Sequence, residues 1–238
     1  MSDVAVPSWD SITERTWAPP PRRRFLGHFL GPRTRIRRVR PFDPEYGQVV
    51  ALRYRGFVET GFVDPVRTAE SAMRLARDDD SIILGLFRRN RLLATMTLNT
   101  ITPRFPGMAM ELDKKVRINH AHFRDPAVLE ITKLVIDRGI RGRRMALGML
   151  YVSSLIARVL GKLHLWQVSR DVPSDVSWRV GLRFDYSVGI RFNDPDLNDM
   201  PSRVGYLYLP SVMENPRVPG FIKAIYEDEL NDPQGARA

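Results

Sequence analysis

The segment over residues 129–160 constrains the fold more than any other part of this chain. Residues 130–136 read Glu-Ile-Thr-Lys-Leu-Val-Ile, a run typical of a buried strand, and residues 145–160 have the apolar character of a long helix. A basic turn with two glycines joins them. A helix start presents free N–H groups and the positive end of its dipole, so this arrangement suits an anion. The segment fits the phosphate of a nucleotide, coenzyme A or phosphopantetheine, and equally a plain connection with solvated arginines.

Composition narrows the class of protein. The chain has 238 residues, 43% hydrophobic and 27% charged, as in a soluble globular domain. It has no cysteine, which excludes disulfides and thiolate metal sites. We find no apolar run long enough to cross a bilayer and no apolar core of a secretory signal, so we expect a cytoplasmic protein.

Positive charge is concentrated in two places. The net charge is +10, and arginines crowd residues 22–40 and again residues 138–144. A basic surface attracts nucleic acid, anionic lipid headgroups or an acidic protein, and composition does not choose among them. Solubility is an equally good reason for the excess of arginine.

The chain is expected to divide into three parts. Prolines interrupt residues 1–32, which predicts an irregular basic arm. Its apolar run at residues 25–30 is expected to dock on the domain or to make peripheral contact with a membrane. One globular domain is predicted over residues 33–212, followed by a tail with a short helix over residues 213–238.

The pattern within the domain predicts an α/β (α+β) fold. Alternation and helical spacing indicate a strand, two helices, an antiparallel hairpin, a strand, a helix, a strand, a helix and two further strands. The second of these helices is expected to follow Asp64-Pro65, with an apolar side made by Ala69, Met73, Leu75 and Ala76. This order predicts a mixed central sheet with helices on both faces.

The order of elements and the basic turn resemble the GCN5-related N-acyltransferase (GNAT) fold. The phosphate-binding turn of that fold reads Arg/Gln-x-x-Gly-x-Gly/Ala, and residues 141–146 here read Arg-Gly-Arg-Arg-Met-Ala. Arg141 and Ala146 match the pattern, whereas Arg144 replaces its middle glycine. An arginine there crowds the approach of backbone to a pyrophosphate, which argues against the usual acetyl-coenzyme A site.

Four motifs resemble a narrower branch of that fold. Residues 52–59, Leu-Arg-Tyr-Arg-Gly-Phe-Val-Glu, resemble the opening shared by acyl-homoserine lactone synthases, long-chain N-acyl amino acid synthases and ornithine lipid acyltransferases. Residues 130–136 resemble the Glu-Ile-Ser-Arg-Leu-Ala-Val strand of the same group. Residues 178–184 resemble its helix-to-strand turn, and residues 198–207 resemble the closing segment of the N-acyl amino acid synthases.

The lactone synthases are the poorer match. Their tryptophan after the first motif is missing, residues 98–100 lack their arginine, and Asp78-Asp79-Asp80 is only a loose counterpart of their acidic set. The resemblance to N-acyl amino acid synthases implies transfer of a long-chain fatty acyl group from acyl carrier protein to the α-amine of an amino acid. The donor would be the phosphopantetheine thioester of the carrier, or coenzyme A, with no tightly bound cofactor.

Two other functions stay open from the sequence. The first is an acyl-coenzyme A-dependent GNAT N-acetyltransferase or an enzyme like the lactone or ornithine-lipid relatives. The second is a basic nucleic-acid-binding module. Two observations argue against a nucleic-acid-binding module: we see no basic recognition helix, and aromatic residues are not interleaved with the arginines. We therefore expect no nucleic acid as a partner.

The resemblance also implies catalytic roles along the central strand. Glu130 is the candidate base for the amine, and Ser169 is a candidate acid for the leaving thiol. Thr132 should share a strand face with Glu130 and orient it, whereas Lys133 should face the other side. Backbone N–H groups near Leu134 and Val135 are the expected oxyanion donors. Arg53 is expected to be buried in a structural ion pair.

Binding roles fall on the turn and the helix start. Arg141, Arg143, Arg144 and the motif position Ala146 are candidates for holding the phosphate of the pantetheine arm. The arginines would also contact the acidic carrier protein. Methionines such as Met96 and Met149 suit an acyl tunnel or an ordinary core. His120 and His122 lack a third ligand at a convincing spacing, so we expect no metal site.

Overall fold

The computed structural model describes residues 33–100, 127–140, 143–170, 191–194 and 200–208. These residues form a seven-stranded sheet in the order β1-β2-β3-β4-β5-β7-β6. The β4–β5 pair is parallel and the other neighbouring pairs are antiparallel, so the predicted mixed sheet is confirmed. In chain order the strands are β1 (Thr34–Val39), β2 (Ile82–Arg88), β3 (Arg91–Thr100), β4 (Val128–Ile136), β5 (His164–Arg170), β6 (Arg191–Asp194) and β7 (Met200–Tyr208).

Two α-helices are described, and glycine ends both. Helix α1 spans Tyr46–Glu59 and helix α2 spans Arg143–Val159. Gly61 and Gly161 follow them in the left-handed region, with φ of 77° and 66°. Glycine adopts this left-handed conformation without a Cβ clash, so each helix ends there and the chain changes direction. In both helices the helical spacing of apolar residues stops just before the glycine. Neither helix is long and apolar enough to span a membrane.

The predicted helix after Asp64-Pro65 is wrong. Two short 3₁₀ turns, Glu70–Met73 and Ala76–Asp80, stand in its place. Between them, Arg74 and Leu75 have extended backbone, with ψ of 116° and 140°. The second turn is closed by the side chain of Asp78, which accepts the Leu75 N–H and is itself buried. The contacts of the Asp78 carboxylate thus override the helix that the local spacing of apolar residues favours.

The two faces of the sheet have separate cores. One cluster packs Met149, Leu150 and Ile156 of α2 against alternate residues of the strands. The other packs Val49, Val50 and Leu52 of α1 against the opposite face. This confirms helices on both faces. Met96 and Met149 are fully buried in the first cluster, so in the described residues they are core side chains.

Helix α1 lies so close to β4 that one of its positions excludes a side chain. A Cβ at Gly56 would overlap Cγ1 of Val135. Gly47, in the same helix, has open space around it. We therefore expect Gly56→Ala to lower the free energy of unfolding by about 1–3 kcal/mol, because the overlap forces the helix off the strand. Gly47→Ala should raise it by up to about 1 kcal/mol through helix propensity.

Urea unfolding of both variants checks this prediction. Equal effects of the two substitutions would mean that α1 does not pack on β4 as closely as the structure shows.

Several other expectations concern residues outside the described part of the chain. They are the arm at 1–32, His120 and His122, the motif at 178–184 and the tail at 213–238.

Candidate functional site

The sheet opens at its centre, where β4 and β5 part. Their parallel pairing covers residues 128–131 of β4 and 164–167 of β5. Both strands continue, β4 to Ile136 and β5 to Arg170. From Thr132 onward, the β5-facing side of β4 has no strand partner within the described residues. Backbone groups along such an opening can bind a ligand, since backbone N–H and C=O groups need partners.

A β-bulge lies at the same place on the other side of β4. In the β3–β4 register Thr97 pairs with Thr132, and Thr95 pairs with Val135. Lys133 and Leu134 therefore lie opposite the single residue Met96. Lys133 has a φ of 52°, which is rare for a residue with a side chain. Bulges re-aim side chains and are frequent beside active sites, so the bulge marks β4 as the candidate site.

Glu130 lies just before the opening and is fully buried. It is opposite Asn99 in β3 and opposite Trp166 in β5. Thr132 is 8% exposed, and its Oγ1 accepts a hydrogen bond from Nδ2 of Asn99 at 3.4 Å. Ser81 in turn donates to Oδ1 of Asn99 at 2.7 Å. Since opposite residues share a face, Glu130 and Thr132 are on one face with Asn99, as predicted.

That face is the one covered by α1, and a buried ion pair fixes the helix to it. Both terminal nitrogens of Arg53 donate to the Asp78 carboxylate, at 2.6 and 3.3 Å. One of them also donates to Oγ1 of Thr97 in β3, at 2.9 Å. Arg53 and Asp78 are 0% and 1% exposed. The expected structural role of Arg53 is confirmed, and its partner is the first residue of the acidic run at 78–80.

The ion pair shifts the titration of its neighbours. Burial alone would raise the pKa of Asp78, but the hydrogen bonds and charge of Arg53 hold it below its usual range. Burial raises the pKa of Tyr46 to about 12, helped by the hydrogen bond that its hydroxyl donates to Asp78 at 2.6 Å. Asp78 thus stays charged and is already occupied by Arg53, Tyr46 and the Leu75 N–H.

Lys133 has its one side-chain polar atom buried beside the bulge. Its Nζ is buried and has no hydrogen-bond partner among the described residues. Burial, with the positive charges of Arg77 and Arg53, lowers the pKa of Lys133 to about 7, against the opposing effect of Asp78 and Glu130. These charges belong to the α1 face. Strict alternation, which predicts Lys133 on the other side, therefore fails at the bulge.

The remaining predicted site residues are distributed over neighbouring elements. Leu134 packs against the α2-side core and Val135 belongs to the α1-side core. Ala146 is fully buried in the first turns of α2. Ser169 is in β5, two residues beyond its last pairing with β4. Arg143 and Arg144 begin α2, and Arg141 is outside the described residues.

Sequence reasoning missed two residues that the structure brings to this face. It did not assign Asp78 as the partner of Arg53, although a buried arginine requires an acid and the acidic run at 78–80 offered one. It also placed Lys133 on the wrong side. The only sign of this in the sequence was the charge of Lys133 next to the apolar residues 134–136 of the strand.

Comparison with known proteins identifies a matching family. A family model described as N-acyl amino acid synthase FeeM matches residues 48–170, which is slightly more than half of the chain. The match contains most of α1, the ion pair, the bulge and α2. No curated protein sequence gives a significant match.

Several solved structures are similar in fold. FeeM, an N-acyl amino acid synthase from uncultured soil microbes, has a TM-score of 0.59 at 15% identity, over 76% of this chain and 94% of its own. BjaI, a coenzyme A-dependent acyl-homoserine lactone synthase, has a TM-score of 0.54 at 14% identity, over 84% and 90%. An N-acetyltransferase from Staphylococcus aureus Mu50 has 0.50 at 12%, over 74% and 98%. These likenesses confirm the predicted GNAT-like fold.

Proposed function

The chain belongs to the FeeM family of N-acyl amino acid synthases, and from that premise we propose that it transfers a long-chain fatty acyl group from acyl carrier protein to the α-amine of an amino acid. Membership of the family makes N-acyl transfer the class of reaction. The carrier donor, the long chain and the residue roles are our proposal. The observation that carries it is the buried carboxylate of Glu130 where β4 and β5 part.

The proposed reaction begins with the acceptor. An amino acid enters as an ammonium, which is not a nucleophile, so it must lose a proton. Glu130 receives that proton directly or through water, and Thr132 on the same face orients the acceptor. The free amine then attacks the thioester carbonyl. A carbon–nitrogen bond forms, the carbon–sulfur bond breaks, and the thiol leaves with a proton.

The opened strand edge suits the charge that develops on the carbonyl oxygen. Backbone N–H groups near Leu134 and Val135 are our candidates for stabilising the oxyanion, because preorganised N–H donors do this in acyl transfer. The support is that β4 has left its pairing with β5 at this point. Ser169, two residues beyond the last pairing in β5, is the candidate to protonate the thiolate.

The start of α2 suits the phosphate of the donor arm. Arg143 and Arg144 lie in its first turn, where free N–H groups and the helix dipole favour an anion. Arg144 occupies the position of the glycine that approaches a pyrophosphate in the GNAT turn. A carrier-borne arm has one phosphate and no adenosine, so it requires less space, which favours a carrier donor over coenzyme A.

The experiment that tests this function compares the two donors directly. Purified protein is incubated with pooled amino acids and long-chain acyl thioesters of acyl carrier protein or of coenzyme A, and products are identified by mass spectrometry. We expect a new N-acyl amino acid with the carrier donor. Product from coenzyme A alone would overturn the carrier assignment. No product from either donor, with folded protein, would overturn the synthase function.

Charge reversal at the start of α2 tests the carrier contact. We expect Arg143→Glu with Arg144→Glu to lower kcat/KM for the acyl carrier protein donor by about 10-fold or more, because acidic carriers are steered by positive charge. The loss should shrink as salt is raised. Arg35→Glu with Arg88→Glu, at exposed positions of β1 and of the end of β2, changes the net charge by the same amount and should have little effect. Equal losses would mean that net charge alone matters.

A further inference from the structure

The amine of Lys133 is a buried polar group near the site to which the proposed reaction assigns no role. Its Nζ lacks a hydrogen-bond partner among the described residues. Leaving a buried donor unpaired costs free energy, and a buried charge costs more unless an opposite charge is near. The bulge and the left-handed backbone interrupt the alternation of β4 at Lys133, and the charged groups that act on its amine belong to the α1 face. Since none of the described residues meets that need, the arrangement favours a bound ligand as the partner.

The surroundings of Lys133 favour a negative partner. The charged groups that act on it are Arg53 of α1, Arg77 and Asp78 of the second 3₁₀ turn, and Glu130 of β4. Asp78 is already bonded by both terminal nitrogens of Arg53 and by Tyr46. Burial is the largest cause that opposes protonation of Lys133, followed by the charges of Arg77 and Arg53, whereas Asp78 and Glu130 favour protonation. An anion bound at Lys133 would offset both the burial of its charge and the repulsion from the two arginines.

We propose that Lys133 binds the α-carboxylate of the acceptor amino acid. The inference rests on the proposed function, which requires an acceptor with a carboxylate beside its amine. Glu130 and Lys133 are three residues apart on β4, one acidic and one basic, and both belong to the α1 face. An amino acid carries the complementary pair of charges on adjacent carbon atoms. Its ammonium can therefore meet Glu130 while its carboxylate meets Lys133.

Lysine, rather than arginine, makes this contact responsive to binding. Arginine stays charged when buried, whereas a buried lysine readily loses its proton. With its pKa lowered to about 7, Lys133 is partly neutral in the empty site at pH 7 to 8. A bound carboxylate raises the pKa again, so the protein takes up a proton as the amino acid binds.

Kinetics with an acceptor and its carboxamide test the contact. The carboxamide keeps the α-amine and the side chain but has no negative charge. We expect the protein to prefer the amino acid by roughly 10- to 100-fold in kcat/KM, the range for a charged hydrogen bond. In Lys133→Met the preference should nearly disappear through a higher KM for the amino acid. In Lys133→Arg it should be retained, because the charge is restored.

The donor phosphate is the other anion that Lys133 could bind, and the same kinetics separate the two. A carboxylate role changes the KM of the acceptor and leaves that of the donor unchanged. A higher donor KM in Lys133→Met, with the carboxylate preference intact, would assign Lys133 to the phosphate and overturn the proposal. An unchanged preference without any donor effect would also overturn it.

Calorimetry of amino acid binding, without donor, tests the site independently of turnover. Titrations in buffers of different ionisation enthalpy should show proton uptake near pH 7 to 8, and affinity that decreases as pH rises through about 7. Lys133→Arg should bind without uptake. Proton uptake on amino acid binding, with no acyl transfer from any donor, would support the carboxylate site and overturn the proposed function. Acyl transfer with no uptake, and unchanged binding by Lys133→Met, would overturn the carboxylate site alone.

Lys133→Met is expected to fold, and its melting temperature shows this. Since the folded pKa of Lys133 is lowered from 10.5 to about 7, the folded protein is penalised at and below pH 7. The penalty declines as pH rises from 7 toward 10.5, where the unfolded lysine also loses its proton. The variant should therefore melt at a higher temperature than the parent at pH 7, by an amount that decreases toward pH 10.

Discussion

Replacing Glu130 by glutamine is expected to lower kcat for acyl transfer by about 100-fold to 10,000-fold, the range for loss of a general base. Glutamine has the size of glutamate and keeps an acceptor oxygen, so the fully buried position can retain its packing. It cannot take the proton of the acceptor ammonium. The measurement is the rate of N-acyl amino acid formation at saturating donor, with the melting temperature as a check on folding.

Two comparisons make the role of Glu130 specific. Glu70→Gln, the same change at an exposed position in the first 3₁₀ turn, should leave kcat unchanged. An α-aminooxy acid acceptor is weakly basic and already neutral at pH 7, so Glu130→Gln should slow its acylation much less than that of the amino acid. A folded Glu130→Gln protein with more than one third of the parent rate would show that Glu130 is not the base. Equal losses with both acceptors would assign Glu130 to positioning.

Breaking the buried ion pair between α1 and the second 3₁₀ turn should have the largest effect on stability. Arg53→Met leaves the Asp78 carboxylate 1% exposed and without its cation. Removing one partner of a buried pair costs about 3–5 kcal/mol, because the other charge stays buried. Urea unfolding at pH 7 measures the loss. Arg91→Met breaks the ion pair with Asp137, in which Arg91 is 69% exposed, and should cost less than about 1 kcal/mol.

The stability lost in Arg53→Met should depend on pH, because the carboxylate that stays buried is that of Asp78. Its pKa is lowered in the folded protein, so its contribution to stability is present above its unfolded value of 3.8 and is lost as pH decreases through the folded value. In Arg53→Met burial raises the pKa instead, so acid relieves the buried charge. The difference between parent and variant should be largest at pH 7 and shrink toward pH 4.

A double variant identifies the cause of the instability. Arg53→Met with Asp78→Leu should recover about half of the loss, because no charge is then buried alone. A double variant as unstable as the sum of the two single variants would mean that the pair acts through packing and not through charge.

The local sequence pattern was sufficient to predict those elements whose structure depends on neighbouring residues. The hairpin of β2 and β3 follows from alternation, and both α-helices end before Gly61 and Gly161 because only glycine suits that backbone there. Arg53 was predicted to be structural because an arginine on an apolar helix face needs a buried partner. The shared face of Glu130 and Thr132 follows from the period of two that holds along a regular strand.

Tertiary structure decided what depends on residues far apart in the chain. Asp78 turns a stretch with helical spacing into two 3₁₀ turns because Arg53, 25 residues earlier, requires its carboxylate. The bulge in β4 arises from its register with β3, and it carries the amine of Lys133 to the face of Glu130 against strict alternation. Sequence alone thus determined the order of the elements and the candidate base. The surroundings of Lys133, and with them the proposed carboxylate site, come from long-range pairing, since hydrogen-bond register and buried charge are properties of the assembled sheet.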